Sequence, residues 1–141
     1  RLVSMAKQPP AAYLPRLQLA ALFLDSNPYN AHTTASDALW AGCPVLTRPG
    51  ETFASRVAGS LNHHLGLDEL NAGDDDAYVA FATTVGNDRP RLRDLGARLQ
   101  QLKRTSGLFD MAGFADDFAA IVRRMAERHR AGPMPAPLEL G

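Results

Sequence analysis

This sequence is poor in the features that most directly announce a function. It has one cysteine, Cys43, so no disulfide can close within the chain and no thiolate metal cluster can form, which fits a reducing, cytoplasmic setting. Fifteen Lys and Arg residues balance fifteen Asp and Glu residues. With no net charge, no global field gathers nucleic acid or an anionic membrane, and any anionic ligand must be held locally. Aromatic residues make up 7% and do not interleave with a basic patch, which argues against a stacking platform for nucleic acid. There is no apolar run of membrane-spanning length, no signal peptide and no internal repeat. What is present is ordinary: 45% hydrophobic and 21% charged residues over 141 positions, enough for one globular domain and too little for a complete two-domain enzyme.

The chain alternates short apolar runs with amphipathic ones. Arg1 to Met5 reads as a strand closed by Pro9-Pro10, and because the chain opens inside it at Arg1 rather than at a Met, a longer parent is expected. A helix is expected over Ala11 to Ala21, with Pro15 favouring a start near that residue. Leu22-Phe23-Leu24, ending in Asp25 and the loop Ser26-Asn27-Pro28, has the character of a buried parallel strand. The next helix, with Ala35, Ala38, Leu39 and Ala41 turned inward, is capped by Thr33 or Thr34 and stops at Gly42. Pro44 to Thr47 is a further strand. Pro49-Gly50 then turns the chain into a helix from about Thr52 to Leu65, with Phe53, Val57, Leu61 and Leu65 on one face.

Beyond it, Leu67 to Ala72 is a short strand or irregular edge. Asp74-Asp75-Asp76 opens a helix through Val85, and two more helices cover Arg89 to Arg104 and Phe114 to Arg130. The Pro-rich stretch 132–141 is too poor in apolar residues to fold alone. Strands and helices in this order, with short connections, predict an α/β fold: a Rossmann-like parallel sheet with flanking helices.

The most informative stretch is Asn30 to Asp37. A helix that begins where a parallel strand has just ended brings free backbone N–H groups and the positive end of the helix dipole to the hydroxyls of Thr33 and Thr34, an arrangement suited to phosphate. His32 adds a possible hydrogen bond from the adjoining loop, and Asp37, one turn in, suits a ribose diol. On spacing alone the plainer reading comes first: a threonine cap and a first-turn acid. Gly50-Glu51-Thr52 either approaches the same ligand or forms a turn with a capping acid, and Arg48 and Arg56 either line the cleft or are solvated. Trp40 reads as a packing residue and Cys43 as an inert buried thiol. His63-His64 lacks a third ligand at metal spacing, so no metal site is expected.

Three blocks weigh against the plainer reading. Tyr29-Asn30-Ala31-His32-Thr33-Thr34, Asp37-Ala38-Leu39-Trp40-Ala41-Gly42-Cys43-Pro44-Val45 and Pro49-Gly50-Glu51-Thr52-Phe53-Ala54-Ser55-Arg56-Val57-Ala58 together resemble the C-terminal catalytic region of the O-GlcNAc transferase family, including bacterial relatives that carry tetratricopeptide repeats. The likeness continues more weakly to about residue 131. It implies that residues 1–131 are part of the second, nucleotide-sugar-binding lobe of a two-lobed GT-B glycosyltransferase, whose parent moves N-acetylglucosamine from UDP-GlcNAc to protein Ser or Thr hydroxyls. By the same resemblance His32, Thr33 and Thr34 hold the UDP diphosphate and Asp37 the ribose. The uracil lies near Lys7, Gln8 and Arg16, although Pro9-Pro10 departs from the family's lysine-bearing sequence there. No metal or other cofactor is implied, no catalytic residue falls in this stretch, and the protein acceptor is bound by repeats lying upstream, so the chain alone is expected to be inactive. Two alternatives are a noncatalytic nucleotide-binding module on a repeat scaffold and a related transferase using another nucleotide sugar, such as the plant relatives that use GDP-fucose.

Overall fold

Two parallel strands, β1 (Phe23–Leu24) and β2 (Val45–Leu46), pair in a small sheet; β2 is buried, whereas β1 is not the buried strand its apolar run predicts, Leu24 being 57% exposed. A computed structural model describes residues 2–132, in two compact units, Arg1–Leu108 and Phe109–Gly141; the Pro-rich tail from Pro133 onward lies outside the described residues. In the first unit Phe23 pairs with Val45 and Leu24 with Leu46. Phe23 N–H donates to the Pro44 carbonyl at 2.8 Å and Asp25 N–H to that of Leu46 at 3.0 Å. A parallel bridge from Thr47 to Asn71 makes residues 67–72 the irregular edge that was one of the two expected forms. The α/β class and the crossover β1, α2 (Thr33–Ala41), β2 are as the alternation predicts.

The core lies where α2, β2 and the later helices meet. Ala35, Ala38, Leu39 and Ala41 are buried, as their spacing requires, against Val45, Leu46, Leu65, Leu67, Leu70 and Leu99. Each large side chain in this set contributes about 1.5–3 kcal/mol by leaving water. Gly42 ends α2 at φ 94°, in the left-handed region, and its N–H reaches back to Leu39. A Cβ there would sit 1.9 Å from the Gln100 amide nitrogen, the end of a flexible side chain that can turn aside, so it is the left-handed backbone that calls for glycine. Cys43 follows, fully buried, and burial pushes its thiol up to about 11.

Several local expectations are corrected. Residues 2–9 form no strand: Leu2, Val3 and Met5 are exposed, because a strand persists only with a hydrogen-bonding neighbour and none of the described residues supplies one. α1 (Pro10–Leu17) starts before Pro15 and contains it; Pro9 and Pro10 sit where a helix start needs no N–H. The stretch from Thr52 is not one helix but a short 3-10 turn, Phe53–Ser55, followed by α3 (Val57–His64). The face α3 buries is Ala58, Gly59 and Asn62; of the expected Phe53, Val57, Leu61 and Leu65 stripe only Leu65, just past the helix, is buried. Small residues win here because α3 approaches closely, a Cβ on Gly59 lying 2.6 Å from the Pro49 ring. Trp40 is 53% exposed, outside the core, with Lys103 Nζ 4.8 Å from its ring centroid.

The later helices match their patterns. α4 (Asp75–Gly86) is capped by Asp74 and α5 (Arg89–Thr105) by Asp88, each carboxylate accepting a backbone N–H three residues on. In the second unit α6 (Met111–Arg130) is capped in the same way by Asp110, and Phe114 stacks on Phe118 with centroids 6.1 Å apart.

Two outcomes follow. Gly42→Ala lowers unfolding free energy by about 1–3 kcal/mol, from left-handed strain, measured by urea denaturation. The raised Cys43 pKa means that the thiol stabilises the fold fully below its unfolded value near 9 and loses that contribution as pH rises toward 11. Relative to Cys43→Ala, the parent chain should lose on the order of 2 kcal/mol across that interval. A pH series of urea melts on both proteins measures the difference.

Candidate nucleotide-phosphate site

The carboxyl end of β1 is shaped by one buried side chain. Asp25 is 8% exposed. Its Oδ1 accepts the backbone N–H groups of Ser26 at 2.8 Å and Ala31 at 2.6 Å, and its Oδ2 accepts the Thr47 hydroxyl at 2.6 Å. The Asp25 backbone carbonyl accepts Tyr78 Oη–H at 2.9 Å. Burial pushes the Tyr78 hydroxyl upward, and the Asp25 charge adds to it. A single carboxylate thus closes the loop 26–31 onto its own strand and ties it to the end of β2. Within the loop, which contains a cis Asn27-Pro28 bond, Asn30 is fully buried and its Nδ2 donates to the Ser26 carbonyl at 3.0 Å.

This loop delivers His32 to the start of α2. His32 occupies the cap position, with φ −103° and ψ −92°, and no side chain caps the helix. The expected threonine cap is therefore corrected: Thr33 and Thr34 are the first two helical residues, so their hydroxyls stand one position too late to cap. The first-turn amides, which have no intrahelical acceptor, are left without a side-chain partner. Thr33 and Thr34 are both exposed. A cleft of about 330 Å³ opens here, lined by Phe23, Asp25, Tyr29, Asn30, His32 and Thr34 among others, at the carboxyl ends of the parallel strands, where α/β folds place ligands.

The His32 ring is held from several sides. Tyr29 stacks on it, centroids 4.9 Å apart and planes 19° apart, and Phe53 meets it edge-on at 5.9 Å. Its Nε2 lies 3.3 Å from the Ala54 carbonyl. The Gly50-Glu51-Thr52 segment therefore reaches this neighbourhood through the turn that follows it, while Thr52 caps that turn.

Asp37 lies on α2 facing α1. Burial pushes the Tyr13 hydroxyl upward, the Asp37 charge adds to it and the Arg16 guanidinium opposes it, which places all three side chains in one electrostatic neighbourhood. Arg16 Nη1 donates to the Ala6 carbonyl at 3.0 Å, drawing the exposed segment with Lys7 and Gln8 toward α1. The structure thus groups the expected residues in two places: His32 and Thr34 on the cleft, with Thr33 beside them, and Asp37 and Arg16 between α2 and α1. Lys7 and Gln8 lie in the exposed extended segment before α1.

Arg48 Nε pairs with Asp75 at 2.6 Å rather than lining the cleft, and Arg56 lies beside Phe53, Val57 and Leu61 on the outer surface of α3. Asp25 and Tyr13 were not singled out from sequence, and Asn30 opened the informative stretch without a role of its own. Asp25 reads there only as the end of a strand, and its partners at positions 31, 47 and 78 become neighbours only on folding. Among the described residues no group of three His, Cys, Asp or Glu side chains is placed to hold a metal ion, and no helix is long and apolar enough to cross a membrane.

A parallel α/β unit with an uncapped helix start at the carboxyl ends of its strands places a cleft where α/β folds hold ligands. The model of Glycosyl transferase family 41 matches residues 2–118, and the chain belongs to that family. It is 38% identical over 117 residues to the UDP-N-acetylglucosamine--peptide N-acetylglucosaminyltransferase of Caenorhabditis elegans, covering 83% of this chain and 10% of the relative. In three dimensions it is similar to a mutant of the Thermobaculum terrenum O-GlcNAc transferase. That match has a TM-score of 0.78 and 30% identity, over 86% of this chain and 23% of that one. The chain thus spans about a tenth of the curated relative and under a quarter of the solved one.

Asp25→Ala removes three acceptor contacts at once and leaves the Thr47 hydroxyl and Ala31 N–H without their partner. The expected loss is about 2–4 kcal/mol in urea unfolding. Faster hydrogen exchange at Ala31 N–H should accompany it.

Proposed function

We propose that the protein containing this chain is a glycosyltransferase that moves N-acetylglucosamine from UDP-GlcNAc to Ser or Thr hydroxyls of proteins, and that this chain supplies the part of its second lobe that holds UDP. The observation that carries the reading is the start of α2, a helix end with no side-chain cap, opening on a cleft at the strand termini, in a chain whose family is that of glycosyltransferases.

Chemically, the acceptor oxygen attacks the anomeric carbon while the bond from that carbon to the diphosphate breaks, and negative charge grows on the departing UDP. Preorganised N–H donors and a helix dipole aimed at that charge lower the barrier because they need no reorientation as it develops. In this reading the first-turn amides, Thr33, Thr34 and His32 bind the diphosphate, and Asp37 accepts from the ribose hydroxyls. Arg16, with Lys7 and Gln8, lies toward the uracil. The diphosphate charge is met by protein donors, with no metal. Acceptor recognition belongs to repeats elsewhere in the parent, and the reaction takes place in the cytoplasm.

The reading is tested by calorimetry on the parent protein. UDP should bind more tightly than uridine, because charge-assisted contacts to phosphate are the stronger ones. Thr33→Ala combined with Thr34→Ala should narrow that gap by roughly tenfold. Asp37→Ala should instead weaken both ligands alike, since both carry the ribose. Equal affinity for UDP and uridine in the unaltered parent would reduce α2 to a structural helix.

A further inference from the structure

The turn after Gly50 is built with more hydrogen bonds than a surface turn needs. Thr52 Oγ1 accepts Ser55 N–H at 3.3 Å and Ser55 Oγ accepts Thr52 N–H at 3.1 Å, a reciprocal capping box. The two hydroxyls also bond to each other at 2.9 Å, and Ser55 Oγ donates to the Thr52 carbonyl at 3.0 Å. Gly50 N–H closes the turn on the Ser55 carbonyl at 2.8 Å. A Cβ on Gly50 would stand 2.6 Å from Ser55 Oγ, so the packing leaves room only for glycine.

What this box holds is informative. Of the two residues between Thr52 and Ser55, Phe53 is 81% exposed, so its side chain gains little by burial, yet its ring meets His32 edge-on. The carbonyl of Ala54 accepts two hydrogen bonds from the facing loop, one from Asn30 N–H at 2.9 Å and one from the His32 ring at 3.3 Å. A carbonyl oxygen can only accept, so Nε2 must carry the proton. The turn thereby selects one tautomer and one orientation of His32. Among the described residues Nδ1 has no hydrogen-bond partner, and it is the ring nitrogen left for a ligand.

We propose that the Thr52–Ser55 box is a positioning element for His32: it fixes the Ala54 carbonyl, which holds Nε2–H and so turns Nδ1 toward the leaving diphosphate, a contact in which the ring is the imidazolium and Nδ1–H donates to a phosphate oxygen. The second half of this statement rests on the reading of His32 as a diphosphate contact given above; the first half does not.

Two measurements separate them. In the 141-residue chain, selective ¹⁵N labelling of its four histidines reads each ring's tautomer. His32, identified by its absence in His32→Gln, should be in the Nε2–H form. Thr52→Val removes the hydroxyl acceptor and should shift His32 toward a tautomer mixture, whereas Thr52→Ser, which keeps it, should not. Ser55→Ala is the second variant should Thr52→Val fold poorly. An Nδ1–H tautomer in the unaltered chain, or an unchanged spectrum in both Thr52→Val and Ser55→Ala, overturns the proposal whatever UDP does. In the parent protein Thr52→Val should weaken UDP binding roughly fivefold and leave uridine unchanged, with Thr52→Ser restoring UDP affinity. Tautomer loss with unchanged UDP affinity would retain the positioning of His32 and reject its contact with the diphosphate.

Discussion

The arrangement at the carboxyl end of the sheet depends on the Asp25 carboxylate. The loop from Ser26 to Ala31 must leave β1, reverse direction and start a helix within a few residues, and its backbone N–H groups have no sheet or helix partner of their own. Asp25 supplies acceptors for two of them and uses its other oxygen on Thr47 at the end of the neighbouring strand. Buried carboxylates are tolerated when their lone pairs are filled by donors in this way. The same residue's carbonyl takes the Tyr78 hydroxyl, so α4 is tied to the same point. Loss of this acceptor would release the loop, the start of α2 and the outer edge of the sheet together.

A second clamp acts from the opposite side. The Ala54 carbonyl takes Asn30 N–H and the His32 ring, so the loop between β1 and α2 is held by Asp25 from within and by the residue 52–55 turn from without. The result is a helix start kept open. Three later helices fill their first turns with an aspartate at the cap, whereas α2 presents its first-turn amides to a cleft. On the function proposed above, such donors, fixed in advance, suit a departing anion, since donors that must reorient as charge develops give back much of their benefit.

Much of this was legible in residue order. The spacing of Ala35, Ala38, Leu39 and Ala41, the stop at Gly42, the aspartate-led start of α4 and the Leu95 and Leu99 seam of α5 are local patterns, and each has the predicted burial. The errors share a cause. Residues 2–5 are apolar enough for a strand, but a strand is a relation between two segments. Phe53 and Leu61 have helical spacing, but α3 turns its small residues inward because Pro49 lies close to Gly59. Trp40 is bulky and apolar, yet it falls on the side of α2 away from Ala38 and Leu39.

The sequence by itself determined the class of fold, the order of the elements from β1 onward apart from the turn before α3 and, through three blocks of residues between Tyr29 and Ala58, the family. It also marked His32, Thr33, Thr34 and Asp37: a helix start after a parallel strand is a local pattern with a local electrostatic consequence, and the resemblance of the three blocks favoured a ligand there over a plain cap. Only the tertiary structure decided that the threonines do not cap α2, that His32 is stacked on Tyr29 and bonded to Ala54, and that Asp37 and Arg16 share an electrostatic neighbourhood with Tyr13. Those facts join residues 3 to 24 positions apart in the chain. Hydrogen bonds and ring contacts act over a few ångströms of space, so no periodicity in the sequence can report them.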